Sequence, residues 1–149
     1  MSIWWSLHLR REAASVPLAR RLLLGTMETA GVDPDVSYEL SVALTEACAN
    51  AVEHGGSWGR GAGSEAYRVT AYLDGETCRI EVADAGPGFS GAAPRPCAVA
   101  PADAEHGRGL RLIEELADHV HFGRTGRGGA LVSFDKIIKW RADAPLALT

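Results

Sequence analysis

An alternating pattern on both sides of Asp74-Gly75 constrains the fold more than any other feature of the chain. Apolar residues recur at every second position within 66–73 and again within 77–83. This alternation predicts two half-buried strands, and Asp-Gly between them is the strongest short-range signal for a β-hairpin. One face of this hairpin must be covered by another layer of structure. The residues predicted on that face are Val69, Ala71, Leu73, Cys78, Ile80 and Val82.

The segment before the hairpin predicts one strand and two helices. Residues 3–9 alternate and predict a strand at the edge of a sheet. Ser15 is the predicted N-cap of the first helix, and Gly31 is predicted to end it. The second helix is expected to begin at Asp33-Pro34 and to run to about His54. The predicted buried faces comprise Ile3, Trp5, Leu7 and Leu9 in the strand, Leu18, Leu22 and Met27 in the first helix, and Val36, Leu40, Ala43, Leu44, Ala47 and Ala51 in the second.

After the hairpin the periodic pattern weakens and then returns. Residues 84–106 are rich in glycine and proline with little periodicity, and loops of this length are usually functional or mobile. A third helix is predicted at 108–118, and a second hairpin follows from 119–124 and 130–138. The tail, residues 139–149, is expected to be frayed. The inward-facing residues of the third helix are predicted to be Leu112, Ile113 and Leu116.

The order of these elements is strand, two helices, hairpin, loop, helix and hairpin, and it predicts an α+β fold. We expect a two-layer sandwich in which the helices cover one face of a mixed, mostly antiparallel sheet. A chain of 149 residues is long enough for one core and short for two. The sequence therefore predicts a single domain over residues 1–149.

Composition and charge narrow the classes of function. The net charge of −4 argues against nucleic-acid binding, which usually needs a basic patch. No apolar run reaches the length of a membrane span, and the N-terminus lacks the pattern of a signal peptide. The cysteines Cys48, Cys78 and Cys97 are far apart and odd in number, which indicates neither a disulfide framework nor a zinc site. We expect a cytoplasmic protein with reduced thiols.

Glu46 and Asn50 lie one turn apart on the same face of the second predicted helix. A carboxylate and an amide oxygen placed side by side suit Mg²⁺, which usually binds phosphate oxygens and water as well. The carboxylate is alternatively a general base that accepts a proton from an attacking hydroxyl. Taken alone, the pair is more typical of an ordinary polar helix surface, because both residue types are common there.

A second motif, D-x-G-x-G, directly follows a predicted strand and consists of Asp84, Gly86 and Gly88. The Asp84 carboxylate can accept a hydrogen bond from an exocyclic amine such as that of adenine. The two glycines permit a ligand to approach the backbone closely. By itself the motif is equally compatible with a simple turn, since aspartate and glycine dominate turns.

The third motif, Gly107-Arg108-Gly109-Leu110, opens the third predicted helix. The N-terminus of a helix presents free N–H groups and partial positive charge, so it is suited to phosphate. Arg108 can add a charge-assisted hydrogen bond. Taken alone, this motif is also an ordinary helix start made flexible by glycine.

Together, E-x-x-x-N on a helix, D-x-G-x-G after a strand and G-x-G-L at a helix start resemble the N, G1 and G2 boxes of the gyrase, heat-shock-chaperone, histidine-kinase and MutL ATPases. The Bergerat ATP-binding fold of these proteins is therefore the expected fold. The sequence is most similar to the bacterial anti-sigma-factor serine kinases, because 44–55 reads like their N box. The resemblance covers nearly the whole chain.

The resemblance implies a role for each motif. Asn50 would ligate Mg²⁺, and Glu46 would be the general base for phosphoryl transfer from ATP to a serine. Asp84 would bind the adenine amine, and the neighbouring glycines would shape that wall of the site. Residues 89–106 would form a lid over the phosphates. The remaining nucleotide-binding residues implied are Gly86, Gly88, Gly107, Arg108, Gly109 and Leu110.

The resemblance also implies partners. Members of the family bind sigma factors and phosphorylate a serine of a small antagonist protein, which predicts an ATP- and Mg²⁺-dependent serine kinase acting as an anti-sigma factor. The alternative is a nucleotide-gated binding module that captures a partner and transfers no phosphate. A histidine kinase is disfavoured, because the chain has no dimerisation helices with a phosphoacceptor. One position departs from the family, in which Thr often follows the last glycines, whereas Ala130 follows Gly128-Gly129 here.

Three further features have ordinary explanations. Residues 59–63 are rich in glycine, but no strand precedes them, which excludes a Rossmann fingerprint. His119 and His121 share one side of a predicted strand without a third ligand nearby in sequence, which favours plain strand surface over a metal site. One of Trp4 and Trp5 must face the core, and the other is a candidate part of a homodimer interface.

Overall fold

The computed structural model describes residues 2–54, 66–84, 111–124 and 130–142. Five strands and three helical segments occur there in the order predicted from the sequence. The elements are β1 (Ile3–Arg10), α1 (Ser15–Ala30), α2 (Pro34–His54), β2 (Ala66–Leu73), β3 (Thr77–Asp84), α3 (111–116), β4 (His119–Arg124) and β5 (Ala130–Ile137).

The strands form one five-stranded sheet in the order β1-β2-β3-β5-β4. The sequence predicted a mixed, mostly antiparallel sheet, and every pairing among the described strands is antiparallel. β1 lies at an edge of this sheet, as predicted. β3 is the central strand. Its two ends mark the two ends of the sheet at which strands are connected to the rest of the chain.

The β2–β3 hairpin forms at the predicted place, but its turn differs from the one typical of Asp-Gly. Among the described glycines only Gly31 has a positive φ, of 92°, so Gly75 does not adopt the left-handed conformation. Instead, the Asp74 carboxylate accepts hydrogen bonds from the backbone N–H groups of Glu76 and Thr77 at 2.7 and 2.8 Å. The Thr77 and Glu76 N–H groups thereby lower the pKa of Asp74. The side chain of Asp74 therefore stabilises this turn.

The helices pack on one face of the sheet, and the core lies between the two layers. The residues of β2 and β3 that the alternation predicted to be buried are buried. On the opposite face of the sheet, Trp4, Arg79 and Ile137 are exposed. The α2 stripe is buried as predicted from Val36 to Ala47, and Ala51 packs against the core. No helix within the described residues combines the length and apolarity needed to cross a bilayer.

The predicted buried face of α1 was right for Met27 and wrong by one position for Leu18 and Leu22. Leu18 and Leu22 are 52% and 39% exposed, and the buried stripe instead comprises Ser15, Ala19, Leu23, Met27 and Ala30. The predicted N-cap role of Ser15 was also wrong, because Ala14 is the N-cap and makes no side-chain cap hydrogen bond. Ser15 belongs to this buried stripe, and its hydroxyl lies 2.6 Å from the Tyr67 hydroxyl.

The ends of the helical hairpin agree with the sequence. Gly31 ends α1 in the left-handed conformation, and its N–H donates to the carbonyls of Met27 and Glu28 at 3.0 and 3.2 Å. The Asp33 carboxylate accepts the Asp35 N–H at 2.8 Å, which caps the start of α2. Gly31 therefore ends α1 and Asp33 begins α2 through hydrogen bonds to neighbouring residues, as their residue types predict.

The helix α3 is anchored to both α2 and β5. Ile113 is fully buried, Leu116 packs against the core and Leu112 is half-buried. The Lys136 ammonium donates to the Leu116 carbonyl at 2.8 Å and lies 3.0 Å from the Glu39 carboxylate. The described part of the helix ends at 116 rather than at the predicted 118, and the predicted start at 108 lies outside the described residues.

The expectation of a frayed tail from residue 139 was wrong for its first residues. The Asp33 N–H donates to the Lys139 carbonyl and the Arg141 N–H to the Gly31 carbonyl, both at 2.8 Å. The Trp140 indole donates to the Gly75 carbonyl at 3.1 Å. These hydrogen bonds fasten the chain across the α1–α2 turn and the β2–β3 hairpin. Residues 143–149 lie outside the described residues.

Candidate functional site

Glu46 and Asn50 lie one turn apart on α2, and both side chains are half-buried. The residues between them, Ala47 and Cys48, are buried in the core. The pair therefore lies at the margin of the buried stripe, where its oxygen atoms can face a ligand while the helix is held by apolar contacts. This placement matches the prediction for a carboxylate and an amide oxygen on one helix face.

Tyr67 joins this part of α2 to the end of β3. Its backbone is the register partner of Asp84, the last residue of β3. Its fully buried hydroxyl lies 2.6 Å from the Ser15 hydroxyl and is close enough to the Cys48 thiol for each group to influence the pKa of the other. Since Cys48 lies between Glu46 and Asn50 in α2, the structure brings the predicted metal-binding helix and the predicted adenine-binding strand end together. Burial raises the pKa of the Cys48 thiol to about 12, so this thiol is a structural group rather than a nucleophile.

The C-terminal end of β3 lies at one end of the sheet, where strands begin or terminate. We term this end of the sheet the site edge. β1 ends there at Arg10, paired with Ala66, and β5 begins there at Ala130, paired with Arg124. Ala130, the position at which the sequence departs from the resembling family, is thus at the same edge as Asp84. The chain segments 55–65, 85–110 and 125–129 connect to elements at this edge.

The remaining predicted nucleotide-binding residues lie in these segments, outside the described residues, as does the predicted lid at 89–106. Their roles stay predictions. The residues concerned are Gly86, Gly88, Gly107, Arg108, Gly109 and Leu110.

The structure adds a charged residue that the sequence did not suggest. Arg11, in the connection between β1 and α1, donates from Nε to the Ala51 carbonyl at 3.2 Å and from Nη2 to the Val52 carbonyl at 3.1 Å. Both carbonyls directly follow Asn50 in α2. The contact joins residues 40 positions apart, and no spacing or motif in the sequence could have indicated it.

His119 and His121, for which the sequence favoured strand surface over a metal site, are both exposed on β4. His119 Nδ1 lies 2.8 Å from the Asp135 carboxylate across the β4–β5 pair. This hydrogen bond raises the pKa of His119. Throughout the part of the chain that the structure describes, no group of three or more His, Cys, Asp or Glu side chains is arranged to hold a metal.

The tryptophan pair divides as predicted. Trp5 packs against the core, and its indole donates to the Thr26 hydroxyl at 3.1 Å. Trp4 is 65% exposed and stacks on Tyr72, with ring centroids 6.4 Å apart. A role for Trp4 in a homodimer stays a prediction. Cys48 and Cys78 are buried free thiols, as expected.

An open antiparallel sheet covered on one face by helices defines a two-layer α+β domain. The family model of the histidine kinase-like ATPase domain matches residues 9–136. The chain therefore belongs to this family, as its motifs predicted. Membership implies ATP binding.

Two solved structures share the fold. The first contains the RsbU and RsbW domains of Rv1364c from Mycobacterium tuberculosis; it has a TM-score of 0.67 and 21% identity, over 93% of this chain and 33% of that one. The second is the SiaB-SiaC complex from Pseudomonas aeruginosa, with a TM-score of 0.56 and 13% identity, over 90% and 89% of the two chains. This chain thus spans about a third of the first of these proteins. Comparison with curated protein sequences gives no match.

Proposed function

We propose that this protein is an ATP- and Mg²⁺-dependent protein-serine kinase that acts as an anti-sigma factor. It phosphorylates a serine of an antagonist protein and sequesters a sigma factor. The observation that carries the proposal is that α2 holds Glu46 and Asn50 at the site edge, where β3 ends at Asp84 and Tyr67 joins the two elements.

The donor set suits a magnesium nucleotide. Asn50 provides a neutral hard oxygen, and Mg²⁺ takes its other ligands from phosphate oxygens and water rather than from a protein cage. Asp84 accepts a hydrogen bond from the adenine amine, which fixes the base at the opposite end of the nucleotide from the metal. Magnesium supplies charge neutralisation for the phosphates when it is bound.

Glu46 is the proposed general base. Its carboxylate accepts the proton of the substrate serine hydroxyl as the hydroxyl oxygen attacks the γ-phosphorus of ATP, and ADP leaves with the bonding electrons. The half-buried position of Glu46 leaves its carboxylate accessible to a substrate while the helix below is fixed by the core. Phosphoryl transfer relies mostly on positioning and charge stabilisation, and a positioned base adds about 10²–10⁴-fold.

The solved relatives support a protein partner. One is described as the RsbU and RsbW domains of one protein, and the other as a complex of SiaB with SiaC. By analogy, this chain acts on a second protein, and its place of action is the cytoplasm, where sigma factors work. Trp4, exposed on the sheet, is the proposed contact of a homodimer.

A nucleotide-gated binding module is the second candidate. It is favoured by Ala130, which places a methyl group at the site edge where the resembling family often has a threonine hydroxyl. Without the threonine hydroxyl, the protein lacks one contact to the adenine base. Such a site is compatible with nucleotide binding that no longer leads to phosphoryl transfer. In that case the nucleotide controls capture of the partner and no phosphate is transferred.

Phosphorylation with radiolabelled ATP separates the two candidates. We expect the wild-type chain to label an antagonist protein encoded near its gene, and Glu46→Gln to label it at least about tenfold more slowly while binding both proteins and Mg-ATP. The matched control is Glu28→Gln, which changes an exposed glutamate at the far end of α1 and should label normally. A wild type that binds nucleotide but labels none of several antagonists contradicts the kinase proposal. Normal labelling by Glu46→Gln contradicts the role of Glu46 alone.

A further inference from the structure

We propose that Arg11 is a positioning residue that holds the metal-binding turn of α2 in place. This inference rests on the proposed function, since it concerns the turn that carries Asn50. Arg11 is half-buried at the site edge, and its guanidinium donates to the carbonyls of Ala51 and Val52 at 3.2 and 3.1 Å.

These carbonyls lie near the C-terminus of α2, where carbonyls have fewer N–H donors within the helix than those in its middle. Ala51 and Val52 are among the last four residues of α2. Arg11 supplies both with donors from one rigid planar group. Two hydrogen bonds from one guanidinium fix the axial position and the rotation of the turn, whereas a single bond would leave it free to pivot.

Asn50 lies at the start of the turn that Arg11 holds. Asn50 directly precedes Ala51, so a shift of the turn displaces its amide oxygen. Magnesium demands near-ideal octahedral geometry at about 2.0–2.1 Å, which makes metal binding sensitive to small displacements. The positive charge of Arg11 also offsets the partial negative charge at the C-terminus of the helix.

Loss of Arg11 is expected to weaken binding of the metal and to leave binding of the adenine base unchanged. Asp84 belongs to the central strand β3, whose neighbours β2 and β5 hold it in the sheet along its length. A loosened α2 turn therefore lowers the gain in nucleotide affinity that magnesium provides, and the metal-free affinity changes little. A residue that only stabilises the fold would lower both affinities together, through the folded fraction.

The chain offers a matched control in Arg141. Its Nη2 donates to the Glu28 carbonyl at 3.3 Å, in the last turn of α1. The contact is of the same kind, from an arginine to the C-terminal turn of a helix, but α1 carries none of the predicted nucleotide ligands. Arg141 is exposed and lies beside Gly31, away from the site edge.

The experiment measures ADP affinity by titration calorimetry on the full chain, with Mg²⁺ and with EDTA. We expect R11Q to lower the magnesium-dependent gain by about tenfold, the lower end of the range for residues that hold a metal ligand. Its affinity in EDTA should stay within about twofold of wild type, as expected for a change confined to that turn. R11K keeps the charge but not the planar pair of donors and should fall between them. R141Q should match wild type in both conditions.

Amide hydrogen exchange without nucleotide provides an independent readout. In R11Q, the last turn of α2 should exchange faster than in wild type, whereas in R141Q this turn should be unchanged. If wild type binds ADP and R11Q shows the same magnesium-dependent gain in ADP affinity, the role of Arg11 alone is overturned. Unaltered exchange of the last turn of α2 in R11Q overturns it as well. A wild type without magnesium-dependent binding overturns the proposed function, and the role of Arg11 with it. If R11Q does not fold, R11K decides by the same criteria.

Discussion

At the site edge of the sheet, β3 ends at Asp84 and the chain continues into the long segment 85–110, whereas at the opposite edge β2 and β3 are joined by a turn of residues 74–76. The opposite edge, which we term the closed edge, is fastened by several hydrogen bonds. The Asp74 carboxylate accepts two backbone N–H groups of its own turn, and the Trp140 indole donates to the Gly75 carbonyl.

The closed edge also secures the helical layer. Val32 and Trp140 form an antiparallel bridge, and the Gly31 carbonyl accepts the Arg141 N–H. At the site edge the corresponding ties, from Arg11 and Tyr67, reach the helix that carries Glu46 and Asn50. The same kinds of contact thus stabilise the fold at one edge and fix the elements that we propose to bind the nucleotide at the other. This division predicts that substitutions at the two edges separate stability from nucleotide binding.

The largest effect is expected for Asp84→Asn, at the site edge. In asparagine an NH2 donor replaces one of the two carboxylate oxygens and the charge is lost, so the remaining oxygen binds the adenine amine more weakly and with a donor beside it; an unpaired buried polar group costs about 1–3 kcal/mol. We therefore expect ADP affinity, measured by calorimetry, to fall by about 5- to 150-fold, the equivalent of that range. The unfolding midpoint in urea should change little. Asp74→Asn, the same substitution at the other end of the hairpin, is the control and should leave the affinity unchanged.

Equal ADP binding by Asp84→Asn and the wild type would remove Asp84 from the adenine site. The family would remain, because it depends on the match over residues 9–136 and not on this side chain.

An intermediate effect is expected for Trp140→Ala, at the closed edge. Trp140 is half-buried against the core and donates to the Gly75 carbonyl at 3.1 Å. Complete burial of a tryptophan would make this truncation cost about 3–5 kcal/mol, so we expect a loss of about 2 kcal/mol in the free energy of unfolding for a half-buried one. Urea denaturation measures it, and Trp140→Phe, which keeps the ring packing, should recover about half.

The nucleotide affinity of folded Trp140→Ala should stay within about twofold of wild type, because distant sites act independently. A clear loss of affinity in a variant that is as stable as wild type would show that the two edges are coupled and would break the comparison.

The sequence predicted the elements well where residue pattern and local signals agreed. The β2–β3 alternation, the α2 stripe and the stop at Gly31 each depend on residues close in the chain. The face of α1 was mispredicted because leucine at 18 and 22 suggests burial, whereas the stripe that is buried includes Ser15, whose hydroxyl contacts that of Tyr67, 52 residues away. Contacts of that range leave no periodic signal in one sequence.

The site shows the same limit. Glu46, Asn50 and Asp84 could be proposed from the sequence because motifs of fixed spacing mark them. Arg11 and Tyr67 could not, because their partners in α2 lie far along the chain and their residue types have many other uses. The tail was assigned as frayed for a similar reason, since the hydrogen bonds of Trp140 and Arg141 reach residues 65 and 113 positions away.

The smallest effect concerns the pH dependence of the closed edge. The Thr77 and Glu76 N–H groups lower the pKa of Asp74 below its ordinary value of 3.8. A carboxyl whose pKa is lower in the folded state adds stability above its unfolded pKa and loses it as the pH falls through the folded pKa. Asp74→Asn keeps an oxygen acceptor in the turn but cannot titrate, so it isolates the contribution of the charge.

We therefore expect the free energy of unfolding of wild type minus that of Asp74→Asn to be constant at pH 5–7 and to decrease below about pH 4. Because Asp74 is exposed, solvent screens the charge, and the decrease should not exceed about 0.5 kcal/mol. Urea denaturation of both chains at pH 3–7 measures the difference. A difference that stays constant down to pH 3 would show that the turn is held by the oxygen geometry alone, and the closed edge would then owe its stability to Trp140 and the backbone bonds around Gly31.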